Sequence, residues 1–327
     1  MRIDVRLWSE VPEGHLEDLF LANPYAWYRG TPLGDDRMKE YMFLLAKEDA
    51  EINKQGAMVA LINAKPIITA QVYEVPYLST FWSMPIGAVR HFITDRPNDE
   101  NAYLAGSMLV RELVDRAKKD HLAFISTSIP APNIMLIRAL EGQSFRYAEG
   151  FINMVGPTNR FRDRFRVPGM NIRELVEEDF PEIADAYAKV SFPSRYVTDG
   201  GFNPKRASEL YVNRFREVYE QNLGKVFVAE LEGKFAGALI AIIDEKMAST
   251  IGIKSNVLSG MGIIIHPRAL RRGVAMALIE HRQDYYRSQG VKYVNFGANF
   301  NNGPMILGLE KLGLRYGSVD MTFHLWL

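Results

Sequence analysis

The stretch "RALRRGVAMALI", Arg268 to Ile279, sets three arginines around one glycine and then runs into an apolar, alanine-rich pattern. That pattern reads as a helix, so the arginines crowd its start. A helix N-terminus already carries about half a positive charge from its aligned peptide dipoles. Cations repel that end unless an anion sits between them. The chemistry of the stretch is therefore anion binding. Backbone N–H groups from Arg271 to Ala275 can cradle a pyrophosphate, with Gly273 and Ala275 small enough for close approach. Arg268, Arg271 and Arg272 would neutralise its charge.

Other chemistries are narrowed by what the 327 residues lack. There is no Gly-x-x-x-x-Gly-Lys-Ser/Thr loop and no Gly-x-Gly-x-x-Gly opening a helix. Cysteine is absent, which removes disulfides, thiol nucleophiles and Cys-ligated metals. The six histidines are scattered without a His-x-x-x-His pair, so no metal cofactor is expected. Lys+Arg and Asp+Glu both number 39, and this balance argues against nucleic acid or a membrane surface as partner. The N-terminal stretch has no apolar signal region and no run reaches the length of a membrane span, so a cytoplasmic protein is expected.

The elements that must position the loop repeat themselves. "NGPMILGLEKLGLRY" (Asn302 to Tyr316) falls on "NIMLIRALEGQSFRY" (Asn133 to Tyr147) after a shift of 169 residues. The same shift lays Ser107–Ile125 on Met276–Val294 without a gap. Each half reads as amphipathic helix, strand, Asn-led short helix, turn and strand. Between them, "GPTNRFRDRFRVPG" (Gly156 to Gly169) reads as a solvated linker. The expected organisation is therefore a domain over 1–155, a linker over 156–170 and a second domain over 171–327. The second opens with a strand and a helix started by Asp179 and Pro181. A hairpin over Lys225–Asp244 turns at "EGK", and a glycine-rich strand stops at Pro267.

Strand, His-Pro, "RALRRGVA", helix is an order that resembles the GNAT acetyltransferase superfamily. The coenzyme A loop of that family, Gln/Arg-x-x-Gly-x-Gly/Ala, falls on Leu270, Arg271, Arg272, Gly273, Val274 and Ala275, with Leu270 departing from the first position. The downstream Asn and apolar helix match Asn302, Met305 and "KLGL". The resemblance covers about residues 172–327 and, more weakly, 1–155. It implies an α/β (α+β) fold of two tandem GNAT-like modules, each a mixed, mostly antiparallel sheet flanked by helices. It implies acetyl-CoA as donor, with Ile263, Ile264 and Ile265 on the strand beside the thioester. In the first half the aligned loop "DENAYLAG" (Asp99 to Gly106) is acidic and has Leu104 for the glycine, so that module reads as degenerate.

The resemblance also implies an acyl acceptor near "FPSRYVTDGGFNPKRASELY" (Phe192 to Tyr211), with Ser194, Arg195 and Asp199 as substrate-binding residues. That stretch is similar to dTDP-4-amino-sugar N-acetyltransferases. The strand Gly260–Ile265 is expected to give a backbone N–H to the oxyanion. Asp199, Asp244 and Glu245 are candidates to take the ammonium proton, and His266 is expected to pack. Where the family carries an acid tyrosine this chain has Leu309, which leaves Tyr293, Tyr316 or water to protonate the thiolate. The expected function is N-acetyl transfer to a small amine, with a homodimer compatible with the fold. The alternative is a non-catalytic coenzyme A or acyl-CoA sensor. Peptide or protein acetylation is a third reading, without a recognisable acidic docking groove.

Overall fold

The 169-residue offset extends well beyond the stretches that show it in the sequence. The computed structural model describes residues 1–25, 33, 36–160, 165–190, 194–256 and 262–327. In the first half β1 (Ile3–Leu7) leads through α1 (Glu13–Ala22) and α2 (Asp36–Ile52) to the hairpin β2 (Ala57–Ile62) and β3 (Lys65–Glu74). Then come α3 (Pro76–Trp82), β4 (Ile86–Thr94), α4 (Glu100–Lys119), β5 (Phe124–Pro130), α5 (Ile134–Gly142) and β6 (Arg146–Pro157). The second half repeats this order. Strand β7 (Met170–Glu174), α6 (Phe180–Lys189), the short α7 (Arg195–Thr198) and α8 (Pro204–Glu220) precede the hairpin β8 (Lys225–Leu231) and β9 (Lys234–Ala241). It closes with α9 (Glu245–Ile251), β10 (Ile263–Ile265), α10 (Val274–Ser288), β11 (Tyr293–Asn299), α11 (Gly303–Lys311) and β12 (Arg315–Trp326). Adding 169 to the bounds of α3, β5, α5 and β6 gives those of α9, β11, α11 and β12. Both hairpins turn through two residues of positive φ, Asn63 and Ala64 in the first and Glu232 and Gly233 in the second. This is the backbone that matches the twist of adjoining strands.

The chain divides into two compact units, Met1–Gly150 with Ser318–Leu327, and Phe151–Gly317. These bounds differ from those that the repeat suggests, because the last strands of the two repeats change places. In the first unit β5 pairs with β12, from Phe124↔Trp326 to Pro130↔Asp320. In the second, β11 pairs with β6, from Tyr293↔Pro157 to Asn299↔Phe151. A strand edge needs backbone partners and does not discriminate which copy of a repeat supplies them.

The first unit carries the strand order β1-β2-β3-β4-β5-β12, antiparallel except for β4 with β5. Helix α4 lays Ala105, Leu109 and Leu113 on it, and α5 adds Leu136 and Leu140 to the same core.

In the second unit β7-β8-β9-β10 form an antiparallel sheet covered on both faces. Alternation along β8 decides the layers. Val226 and Val228 join the core under α6 and α8, while Phe227, Ala229 and Leu231 join the core under α10. Each such large apolar side chain contributes about 1.5–3 kcal/mol when fully buried. Among the described residues no ladder joins β10 to β11, although β4 and β5, linked by the equivalent crossover, pair over Ile86–Val89. An asparagine ahead of β10, bridged to Ile243, holds β11 instead. The Asn256 carboxamide donates to the Asn295 carbonyl at 2.8 Å and accepts the Asn295 N–H at 2.9 Å.

Of the segment expected as a solvated linker, residues 156–160 and 165–170 are described, and several of them are held by the second unit. Gly156 and Pro157 end β6, and the Thr158 hydroxyl donates to the Val291 carbonyl at 2.8 Å. The Phe165 N–H donates to the Glu280 carboxylate at 3.0 Å, and Phe165 and Val167 pack against the α10 core. Residues 161–164 lie outside the described residues. No described helix is long and apolar enough to cross a membrane.

Candidate functional site

Helix α10 begins on a loop held from below. His266 is 5% exposed, and its Nδ1 accepts the Arg268 N–H at 3.2 Å. The other ring nitrogen lies 3.0 Å from Asp185 Oδ2, so in the neutral tautomer that the Nδ1 bond selects, Nε2–H is the donor. Arg268 turns inward. Its Nε and one terminal nitrogen donate to the Phe235 carbonyl at 2.9 and 2.6 Å, and it also pairs with Glu182 at 2.9 Å. Arg268 therefore anchors the loop to β9 and α6, a correction to its expected place beside a phosphate. Glu182, Asp185 and His266 have donor atoms close enough for a divalent cation. Those atoms are instead engaged by Arg268, Lys189 and one another, and Lys189 first, then His266, hold the Asp185 carboxyl below its usual range.

The loop then bends twice through left-handed backbone, at Arg271 (φ 61°) and at Gly273 (φ 83°). Gly273 is the N-cap of α10, and no side chain caps that helix. A Cβ on Gly273 would stand 3.3 Å from Val167 Cγ2. Glycine meets both demands, left-handed backbone and close approach. The N–H groups of Val274, Ala275 and Met276 precede the first possible helical acceptor and point out of the helix start. Arg272 pairs with Glu232 at 2.7 Å, and Arg271 has no ion pair among the described residues. Leu270 is 51% exposed, so its departure from the family pattern costs no core contact.

The first unit answers the same geometry differently. Asp99 caps α4 by accepting the Asn101 N–H at 2.8 Å, so a carboxylate of the chain occupies the anion position. The groove beside it, about 780 Å³, is lined by Glu100, Tyr103, Arg138 and Glu141 among others. The acidic lining suits no pyrophosphate.

Around the α10 start the structure gathers part of the expected set. Asn302 caps α11 by accepting the Met305 N–H at 3.3 Å, and Met305 packs against the core under α10. Gly308 brings α11 onto α10, since a Cβ there would stand 2.5 Å from Met276 Sδ. Ile264 is buried against Ala238, with Ile263 and Ile265 half-buried beside it. The β9 contacts fix which way β10 points: the Ile240 N–H donates to the Gly262 carbonyl and the His266 N–H to the Ala236 carbonyl. By the alternation of an antiparallel ladder, the N–H groups of Ile263 and Ile265 face away from β9. Gly260 and Met261 lie outside the described residues.

Other expected residues are elsewhere or engaged. Tyr293 is the first residue of β11, opposite Pro157, about 20 Å along the strand from Asn299 at 3.3 Å per residue. Tyr316 is 61% exposed on β12. Leu309 is 1% exposed in the core, so a tyrosine there would meet packed side chains before any thioester. Ser194 is buried and caps α7 through the Tyr196 N–H, Arg195 stacks on and donates to Tyr196, and Asp199 accepts the Gly201 N–H at 3.2 Å. Asp244 caps α9 by accepting the Met247 N–H. Phe192 and Pro193 lie outside the described residues. The sequence reading missed Arg282, a cation in the apolar series Val274, Leu278, Tyr286 of α10, and that misfit is the signal that could have found it.

The order of elements occurs twice, the second time with a glycine-started helix after a strand that has no described ladder to its neighbour, and this is the GNAT acetyltransferase fold in tandem. Residues 182–313 match the acetyltransferase (GNAT) family. No curated protein sequence matches the chain. A GCN5-related N-acetyltransferase from Sphaerobacter thermophilus superposes with TM-score 0.59 at 13% identity, over 99% of this chain and 95% of that one. A tandem GNAT protein from the clavulanic acid biosynthesis pathway gives 0.56 at 10% identity, over 99% and 98%. A glucosamine N-acetyltransferase region of a fungal multi-domain β-N-acetylglucosaminidase gives 0.59 at 9%, over 99% of this chain and 38% of that one.

Proposed function

We propose that the second unit transfers an acyl group from a coenzyme A thioester to a small primary amine. The observation that carries this is Gly273, a left-handed, uncapped helix start beside Arg271. The loop holds the pyrophosphate by backbone N–H groups and the helix dipole. Asn302 and Met305 flank the pantetheine arm where α11 meets α10. When the amine attacks the thioester carbonyl, the N–H of Ile263 or Ile265 is placed to take the developing oxyanion. Asp199, which accepts the Gly201 N–H within its own turn, is the candidate base at the acceptor side. A nucleotide-linked amino sugar is the first acceptor to try, on the strength of the Phe192–Tyr211 pattern. A homodimer and a cytoplasmic location remain part of this reading.

Burial of Leu309 favours a second reading, a coenzyme A sensor without turnover, because α11 offers no hydroxyl at that position. Thiolate departure does not require an acid: a thiol pKa near about 8.5 makes it a tolerable leaving group. Thiol release from acetyl-CoA with a panel of amines tests the first reading. Release with one amine class, and one coenzyme A per chain in a titration, is the expected outcome. Binding without release for every class would leave the sensor.

A further inference from the structure

Arg282 is 8% exposed at the centre of the second unit, and no acidic side chain pairs with it among the described residues. One terminal nitrogen donates to the Ile240 carbonyl at 3.1 Å, and the guanidinium carbon lies 4.0 Å from the centre of the Phe296 ring. Its Nε is buried without a hydrogen-bond partner. Burial pulls its pKa down to about 10, so it stays charged at neutral pH. A buried cation held by one carbonyl and the rings of Phe296 and Tyr286 lacks, among the described residues, the anion that ordinarily compensates it.

The position says where that anion would come from. Ile240 belongs to β9 beside Gly262, and Phe296 belongs to β11, so the guanidinium bridges β9 and β11, on the side where no described ladder joins β10 to β11. It lies level with the start of β10, whose Ile263 N–H faces away from β9. It also lies on the α10 side of the sheet, away from the α6–α8 side to which the acceptor stretch belongs.

We propose that Arg282 receives the free carboxylate of a dicarboxylic acyl group, so that the donor is a thioester such as malonyl- or succinyl-coenzyme A. This rests on the acyltransferase reading above. A carboxylate two or three carbons beyond the thioester carbonyl would meet a planar, charged donor whose Nε–H is unfilled, the kind of donor that charge-assisted pairs favour.

Calorimetry of the full chain with acetyl-, malonyl- and succinyl-coenzyme A tests it without any acceptor. The wild type should bind one of the carboxylated thioesters at least about tenfold tighter than acetyl-coenzyme A, as a charge-assisted pair allows. Arg282→Met should bind acetyl-coenzyme A and lose the preference, and Arg282→Lys should keep part of it. Equal affinity of the wild type for all three overturns the proposal, and needs no variant that folds. A preference that survives Arg282→Met also overturns it. If thiol release instead prefers amines bearing a carboxylate, and Arg282→Met alone abolishes that, the anion belongs to the acceptor and the donor assignment falls. Failure of every thioester to bind would remove the acyltransferase reading itself, and this one with it.

Discussion

Gly273 holds φ at 83°, where a Cβ costs about 1–2 kcal/mol, and a Cβ would also press on Val167. Gly273→Asp should lower coenzyme A affinity at least about tenfold, because it adds a like charge to the anion position. Gly273→Ala should lose less affinity and mostly stability. Calorimetry and thermal melting separate the two, and wild-type affinity in Gly273→Asp would remove the loop from the site. Leu309 is the converse case. Its position suggested that tyrosine could be restored there, yet Leu309 is 1% exposed in the core. Leu309→Tyr should destabilise by about 1–3 kcal/mol through overpacking and should not raise the rate. A faster, equally stable variant would contradict this. The difference between these residues explains what the sequence could show. Gly273 is readable because backbone geometry restricts its type, whereas a leucine on a short helix looks alike in a core and in a cleft. The pairings of Arg268 and Arg272 are not legible for a related reason. Composition displays their charge but not Glu182, the Phe235 carbonyl or Glu232, which lie 86, 33 and 40 residues away.

Among elements, β7 and the start of α6 are joined by one ion pair that sets the first layer of the second unit. Arg173 clasps Asp179 with two bonds at 2.7 and 2.8 Å and reaches Glu230 at 2.8 Å. Burial raises the Asp179 carboxyl pKa, but the Arg173 hydrogen bond and the Val176 N–H outweigh it and hold it below the usual range. A carboxyl lowered in the folded state stabilises above its unfolded pKa, about 3.9, and that gain is lost as pH falls through the folded value. Asp179→Asn should therefore melt below wild type at pH 7, with the gap closing below about pH 4. A gap independent of pH would assign the loss to packing alone. Element order and type were legible here because Asp179, Pro181 and the apolar spacing are local signals. The segment 156–170 was not, since its partners Glu280 and Val291 lie more than a hundred residues on.

At the scale of the molecule, the exchange of β6 and β12 is what the repeat could not disclose. The sequence of each copy fits either edge, so pairing within a copy and pairing between copies leave the same pattern. A fragment of residues 171–327 lacks the strand that covers β11, and a chain ending at Gly317 lacks the strand that covers β5. Both should fold poorly, and adding a peptide of residues 146–157 to the first should recover helical signal and cooperative melting. A cooperative melt of the unaided fragment would show that β11 tolerates an open edge. The exchange also sets an order in time. Chains commonly fold from the N-terminus as the ribosome extends them. Here residues 151–317 are all made before Ser318–Leu327, so the second unit can finish first while the older half waits on the ribosome with β5 uncovered. Synthesis and completion run in opposite directions along this chain.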